Sequence, residues 1–206
     1  MFTGIIEQIG TVKNISKSGI SIESKYNDIK PGDSIAINGV CLTVTLLSGN
    51  TFMVDVSEET AGKTNLRELQ PGDKLNLERA LKFNDRVDGH FVTGHVEGIG
   101  KITGIKNNQD KISKLITVSF PKELGKYIVE KGSIAVDGIS LTAVNVTVKT
   151  FSAAVIPFTL NNTILGLKKT GSTVNLETDM LAKYVEKSGI TGKSQITLDY
   201  LKKSGF

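Results

Sequence analysis

The sequence predicts an all-β fold: two tandem, similar six-stranded antiparallel barrels of Greek-key type, followed by a short C-terminal α-helix. An internal repeat is the first reason. FTGIIEQIGTV at 2–12 returns as VTGHVEGIGKI at 92–102, and SIAINGVCLT at 34–43 returns as SIAVDGISLT at 133–142. Carried on without a gap to Ala80 and Asp179, the second pairing matches at 16 of 47 positions, so a domain-sized unit occurs twice. Short runs rich in Val, Ile and Thr between Gly- and Pro-bearing turns are the second reason, because such runs read as strands.

In the first unit the expected strands are residues 4–15, 19–23, 34–37, 40–47, 51–56 and 74–77. KPGD at 30–33, SGN at 48–50 and QPGD at 70–73 supply the turns between them. Residues 60–66 read as a short helix, as do their partners 159–165. About six short strands with turns every 8 to 12 residues favour a closed barrel, which also removes exposed sheet edges. The second unit is longer between its first strand and Ser133, with a turn expected at 107–110. Beyond Asp179, residues 180–187 read as helix, 188–192 as a break and 197–203 as a second helix. The expected units are 1–88, 89–185 and a helical tail, 186–206, that either packs on its own domain or mediates self-association.

The 206 residues carry one cysteine, Cys41, and a net charge of +4 from scattered lysines. A lone cysteine excludes an internal disulfide framework and points to a reducing compartment. Scattered lysines without a basic stripe argue against nucleic acid. No stretch reaches the ~18 apolar residues of a membrane span, and the start, MFTGIIEQIG, lacks signal-peptide character. The expectation is a soluble, cytoplasmic protein. Two histidines, His90 and His95, are too few with one cysteine for a structural zinc site, and no phosphate-cradling glycine motif is present.

Differences between the copies single out the chemical candidates. His95 stands where the first copy has Ile5, and a ring that titrates near neutrality can exchange protons or stabilise an anion, although a strand-start histidine would also fit. Ser140 and Thr142 match Cys41 and Thr43; at i and i+2 on a strand both side chains of each pair share one face, open to a ligand if that face lines the barrel mouth. Asp137 and Asp179 replace Asn38 and Ala80, and Lys131 replaces Gly32; each also fits a turn or helix-start role.

Met1-Phe-Thr-Gly-Ile5, the paired Gly-x-[Ser/Cys]-Leu-Thr strands, Gly94-His95, YIVEKGS at 127–133 and the two Asn-Leu-Glu strand ends at 76–78 and 175–177 together resemble riboflavin synthase of the alpha-chain type, over essentially the whole chain. The resemblance implies two barrels that each bind one 6,7-dimethyl-8-ribityllumazine. It also implies a homotrimer held by C-terminal helices, possible association with lumazine synthase, and no metal or organic cofactor. Two lumazines would dismutate, one giving four carbons and leaving as 5-amino-6-ribitylamino-uracil, the other becoming riboflavin. By resemblance, the C-terminal pocket uses Gly94, His95, Val96, Lys131, Ser140, Leu141, Thr142, Ile156, Pro157, Phe158, Thr159, Leu160 and Asn161. The N-terminal pocket uses Gly4, Ile5, Ile6, Cys41, Leu42, Thr43, Asp55, Val56, Ser57, Glu58, Glu59 and Thr60, with Phe2 packing nearby. His95, Ser140 and Thr142 are the expected catalytic groups, with Asp137 and Asp179 orienting them. The chain departs from the family pattern at Asp88, where glycine is common, and at Phe158, where a polar residue is common. The rival is a non-catalytic lumazine or flavin antenna protein on the same duplicated barrel.

Overall fold

A computed structural model describes residues 1–16, 19–107 and 112–189. In the first unit β1 (Gln8–Ile15), β2 (Gly19–Glu23), β3 (Ser34–Ile37), β4 (Val40–Ser48), β5 (Thr51–Asp55) and β6 (Lys74–Arg79) form a closed barrel in the order β1-β2-β5-β4-β3-β6, with every pairing antiparallel. Alternation along these strands turns Val12, Ile22, Ile35, Ile37, Leu42, Val44, Phe52, Val54, Leu75 and Leu77 into one interior cluster. Each such side chain removed from water contributes about 1.5–3 kcal/mol.

The second unit repeats the order with β7 (Gly98–Asn107), β8 (Lys114–Ser119), β9 (Ser133–Val136), β10 (Ile139–Thr142), β11 (Thr150–Val155) and β12 (Thr173–Thr178). It departs from the expected closed barrel at one seam: β10 and β11 are tied only by the isolated Val144–Ser152 bridge, where β4 and β5 share a ladder. Asn145 has a left-handed φ of 52°, and the Glu130 carboxylate accepts the Asn145 and Val146 N–H groups at 3.2 and 2.9 Å. Those donors are thereby withdrawn from the sheet.

Each β5-like strand leads into a short helix, α1 (Glu58–Lys63) or α2 (Pro157–Asn162), and then a 3₁₀ turn at Asn65–Glu68 or Ile164–Leu167. The single helices expected at 60–66 and 159–165 are thus split. Thr64 is extended and its hydroxyl donates to Thr60 O while accepting from Leu66 N–H; Thr163 does the same with Thr159 and Leu165. The last described helix, α3 (Met180–Ser188), is capped by the Asp179 carboxylate and stopped by Gly189 at φ 67°. Lys183 of α3 lies 2.9 Å from Glu97. The helix expected at 197–203, the tail beyond 189 and the centre of the 107–110 turn lie outside the described residues. Among the described residues no helix is long and apolar enough to cross a membrane.

The units meet through paired contacts that repeat almost atom for atom. Phe2 and Val92 bridge, and with Ala36 and Ala135 they form a third apolar cluster. Around it, Asn76 N–H donates to Asn38 Oδ1 and Asn175 N–H to Asp137 Oδ1, both at 2.8 Å. The side-chain amides of Asn76 and Asn175 then cross to the opposite unit, reaching Asp137 O and Asn38 O at 2.9 Å.

Candidate functional site

The first strand begins at Gln8 and not Gly4 because the residues before it leave their own barrel. Residues 2–7 and 92–97 form two arms that cross over. Gly4 O accepts the Ser140 N–H of the second unit at 2.8 Å, and Gly94 O accepts the Cys41 N–H of the first at 2.9 Å. Ile6 packs on the second barrel's core beside Leu141 and Leu160, and Val96 packs on the first barrel's core with Val56. Both crossings depend on glycine. Gly4 and Gly94 have φ of 77° and 82°, and a Cβ would fall 2.7 Å from Ser140 Cβ or 2.4 Å from Cys41 Cβ.

This exchange regroups the expected pockets. His95 joins Cys41, Leu42 and Thr43 on the first barrel, while Ile5 and Ile6 join Ser140, Leu141 and Thr142 on the second. The sequence grouping of His95 with Ser140 and Thr142 is therefore corrected, since each arm lies against the barrel it does not lead into. In each half-site the polar pair faces away from the barrel interior: Leu42 is buried in the core, Cys41 is half-buried and Thr43 exposed, and Thr142 is likewise exposed. The polar face is thus the outer wall beneath a crossing arm and not the barrel mouth. His95 is exposed, with its N–H on Thr93 Oγ1 at 3.2 Å.

Three expected residues lie elsewhere. Phe2 is fully buried between the units, so its ring anchors an arm and is closed to a ligand. Asp137 is also fully buried, at a left-handed φ of 45°. Its Oδ1 accepts from Asn175 N–H and the Asn65 side chain, and the Lys168 ammonium lies 3.0 Å from Oδ2. It belongs to the joint between units and not to a half-site. Asp179 caps α3, and its charge acts on His90. Lys131 is an exposed residue at φ 65° whose N–H donates to Ala143 O, just beyond β10.

The helix-borne candidates divide. Ser57 caps α1 by accepting Thr60 N–H, Glu59 pairs with Lys63, and Glu58 is exposed. Asp55 ends β5, facing solvent. Ile156, Phe158 and Thr159 leave their bulk accessible or half-buried around α2, whereas Pro157, Leu160 and Asn161 line a cavity of about 500 Å³ with Ile105, Ile116 and Leu165. Its first-unit counterpart, lined by Val56, Ala61, Leu66 and Arg67, measures about 150 Å³. Gly166 occupies the place of Arg67, and a Cβ there would fall 2.1 Å from Leu160 O of α2.

Sequence reasoning passed over His90. Its Nδ1 lies 2.7 Å from Ser140 Oγ, its Nε2 is buried without a hydrogen bond, and burial pushes the imidazole below the usual histidine range. The available signal was register: matched to the first copy, His90 falls before Met1 and has no counterpart. Two carboxylates were also passed over. Glu78 accepts from Thr3 N–H, Thr3 Oγ1 and Gly4 N–H, and Glu177 from Thr93 N–H, Thr93 Oγ1 and Gly94 N–H. Burial pushes the Glu78 carboxyl up, against those hydrogen bonds. Among the described residues no group of three or more His, Cys, Asp or Glu side chains could hold a metal ion.

The half-sites are alike in frame and unlike in chemistry. One offers an exposed imidazole beside a thiol and a hydroxyl; the other offers two hydroxyls, one backed by a buried imidazole. Comparison with known proteins places this geometry in context. The lumazine binding domain family matches residues 3–80 and 93–179. The riboflavin synthase of Actinobacillus pleuropneumoniae is 46% identical and that of Bacillus subtilis (strain 168) 42%, each aligned over 100% of both chains. Among solved structures, LumP complexed with riboflavin superposes with a TM-score of 0.80 at 26% identity, over 86% of this chain and 99% of that one. LumP complexed with 6,7-dimethyl-8-(1'-D-ribityl) lumazine gives a TM-score of 0.77 at the same identity.

Proposed function

The chain belongs to the riboflavin synthase family, and we propose that it joins two molecules of 6,7-dimethyl-8-ribityllumazine in a dismutation. One molecule gives up four carbons and leaves as 5-amino-6-ribitylamino-uracil; the other gains them and becomes riboflavin. The observation that carries this reading is the pair of crossed half-sites, equivalent in backbone and different in polar groups. A reaction between two copies of one compound needs two matched seats, and donor and acceptor roles need them to differ in proton traffic.

In this reading each seat lies under a crossing arm, against Cys41–Thr43 or Ser140–Thr142. The lumazine 7-methyl group is acidic because its carbanion delocalises into the ring. His95 then takes the methyl proton or faces the resulting anion. Ser140 and Thr142 orient the second ring or a water molecule. Asp137, being enclosed, has no part in the chemistry, and Asp179 acts at most through the charge it presents to His90.

A homotrimer completes the proposal. His95, Thr43, Thr142 and half-exposed Ile5 all face outward, so a neighbouring subunit could close each seat with its other barrel. The exposed Leu181, Tyr184 and Val185 on α3 give an apolar face for that contact. A cytoplasmic setting suits the free Cys41. Association with lumazine synthase would shorten the path of the shared substrate and product.

The test is incubation of the purified chain with 6,7-dimethyl-8-ribityllumazine alone, following riboflavin absorbance. One riboflavin per two lumazines consumed supports the dismutation. Tight binding of fluorescent lumazine without turnover would move the chain to the antenna class. Sedimentation equilibrium with and without lumazine tests the trimer.

A further inference from the structure

Resting on the reading of His95 given above, we infer that Glu177 and Thr93 are positioning residues that hold His95 in place from the opposite barrel. Glu177 is 3% exposed at the end of β12, in the second unit. Its Oε1 accepts Thr93 N–H at 2.6 Å and the Thr93 hydroxyl at 2.8 Å, and its Oε2 accepts Gly94 N–H at 2.9 Å. The Thr93 hydroxyl, having given its only proton to the carboxylate, turns a lone pair to His95 N–H at 3.2 Å. Gly94 O then meets Cys41 N–H on the first barrel. The peptide that carries the imidazole is therefore fixed from both sides: by a buried carboxylate of one unit and a strand N–H of the other. Charge-assisted hydrogen bonds of this kind are among the stronger ones, and a carboxylate with three donors has little freedom to rotate.

The molecule carries its own control. Glu78 holds Thr3 and Gly4 through the same three hydrogen bonds, at 2.6, 2.7 and 3.1 Å, and Thr3 Oγ1 accepts Ile5 N–H at 3.2 Å. The two relays match in hydrogen-bond pattern, each on a buried glutamate, but end on different side chains, an imidazole in one and a sec-butyl group in the other. A purely architectural relay predicts equal consequences when either is cut. A positioning relay predicts that only the one ending on His95 affects the chemical step, while the other affects how well the lumazine ring is seated.

The experiment compares Thr93→Val, Thr93→Ser, Thr3→Val and His95→Ala with the unaltered chain. Riboflavin formation, lumazine affinity by fluorescence and urea midpoints are measured for each. Thr93→Val is expected to lower kcat by ~10- to 100-fold, the scale of a small misplacement of a reacting group, with KM changed less than about threefold. Thr93→Ser, which keeps the hydroxyl, is expected to recover most of that loss. Thr3→Val is expected to lose as much urea resistance as Thr93→Val while its main effect falls on KM. Equal kcat losses in Thr93→Val and Thr3→Val, or no recovery in Thr93→Ser, would overturn the relay. Full turnover by His95→Ala would instead sink the reading of His95, and with it the reason for the relay; slow His95→Ala beside fast Thr93→Val would sink the relay alone.

Discussion

Transplanting the first unit's solution into the second should separate architecture from chemistry at Asp137. Its Oδ1 accepts two hydrogen bonds, from Asn175 N–H and Asn65 Nδ2, and its Oδ2 lies 3.0 Å from Lys168, which is itself only 17% exposed. Asp137→Ala leaves the Lys168 ammonium, still bonded to Thr173 O, without its counter-ion and two N–H donors without their acceptor. Breaking a buried ion pair from one side costs about 3–5 kcal/mol. With a urea slope of about 2 kcal/mol/M, the midpoint should fall by roughly 2 M. The first unit manages the same joint with Asn38, whose Oδ1 accepts Asn76 N–H, and with Leu69 packed on its core at the position matching Lys168. Asp137→Asn alone turns an amide NH₂ toward the ammonium and should cost about 1–3 kcal/mol. Asp137→Asn with Lys168→Leu gives the second unit the first unit's residues at both positions, with Asn65 still supplied with an acceptor, and should return to within about 1 kcal/mol of the unaltered chain, since replacing both partners of a buried pair is often near neutral. Riboflavin formation by the double variant should recover with its stability. Recovery of the urea midpoint without recovery of turnover would refute the structural assignment and return Asp137 to the catalytic group. A double variant no more stable than Asp137→Asn would refute the equivalence of the two joints.

Gly94→Ala combines a left-handed φ with a Cβ set against Cys41 Cβ, so it should cost about 2–5 kcal/mol. Gly49→Ala, with a φ of 59° and open space around it, should lose only about 1–2 kcal/mol in the same denaturation series. Burial disfavours the charged His90 imidazole and lowers its pKa from 6.5, although the charges of Asp179 and Glu177 oppose the shift. Between the two pKa values the unfolded chain binds the extra proton, so stability is complete above about pH 6.5 and falls as the pH drops below it. His90→Asn, which keeps a polar atom near the Nδ1 position, should flatten that acid-side decline in urea midpoints; an unchanged decline would assign it to other groups. Glu130→Ala should free the Asn145 and Val146 N–H groups and speed hydrogen exchange there without touching β1–β6, because the carboxylate is their acceptor.

The barrels were legible because their signals are local. Strands such as Ser34–Ile37 and Thr51–Asp55 alternate, and their turns carry the glycines that turns require. Apart from the helices split locally at Thr64 and Thr163, the departures came from contacts between residues well separated in sequence. Residues 4–7 look like strand in their own unit, but Ser140 of the second unit takes the Gly4 carbonyl and draws the arm across, while Glu78 keeps its base on the first. The β10–β11 seam opens because Glu130 takes two N–H groups from fifteen and sixteen residues away. Asp137 looked chemical since the first copy has Asn38, yet the compensating change, Leu69 to Lys168, lies 31 residues on. Only the pair of substitutions reveals an interior joint solved in two ways. His95 and Ser140 were identified singly by their difference from Ile5 and Cys41, and their separation onto different barrels depends on a crossing that no periodicity encodes.

That crossing also explains where the two units were free to diverge. The hydrogen-bonding groups and glycines that hold the arms and the joint are the same in both copies: Thr3 and Thr93, Gly4 and Gly94, Glu78 and Glu177, Asn76 and Asn175. The groups that differ are those the arms present or cover: Ile5 against His95, Cys41 against Ser140, and nothing against His90. Each arm is anchored in one barrel and laid on the other, so a change at the outward-facing positions Ile5, His95, Cys41 or Ser140 leaves both hydrophobic interiors untouched. Loss of an anchor, by contrast, disturbs the barrel that bears it and the seat on its neighbour together. A dismutation asks for that division, with two seats kept alike enough to take the same ring and separately adjustable in the protons they exchange with it.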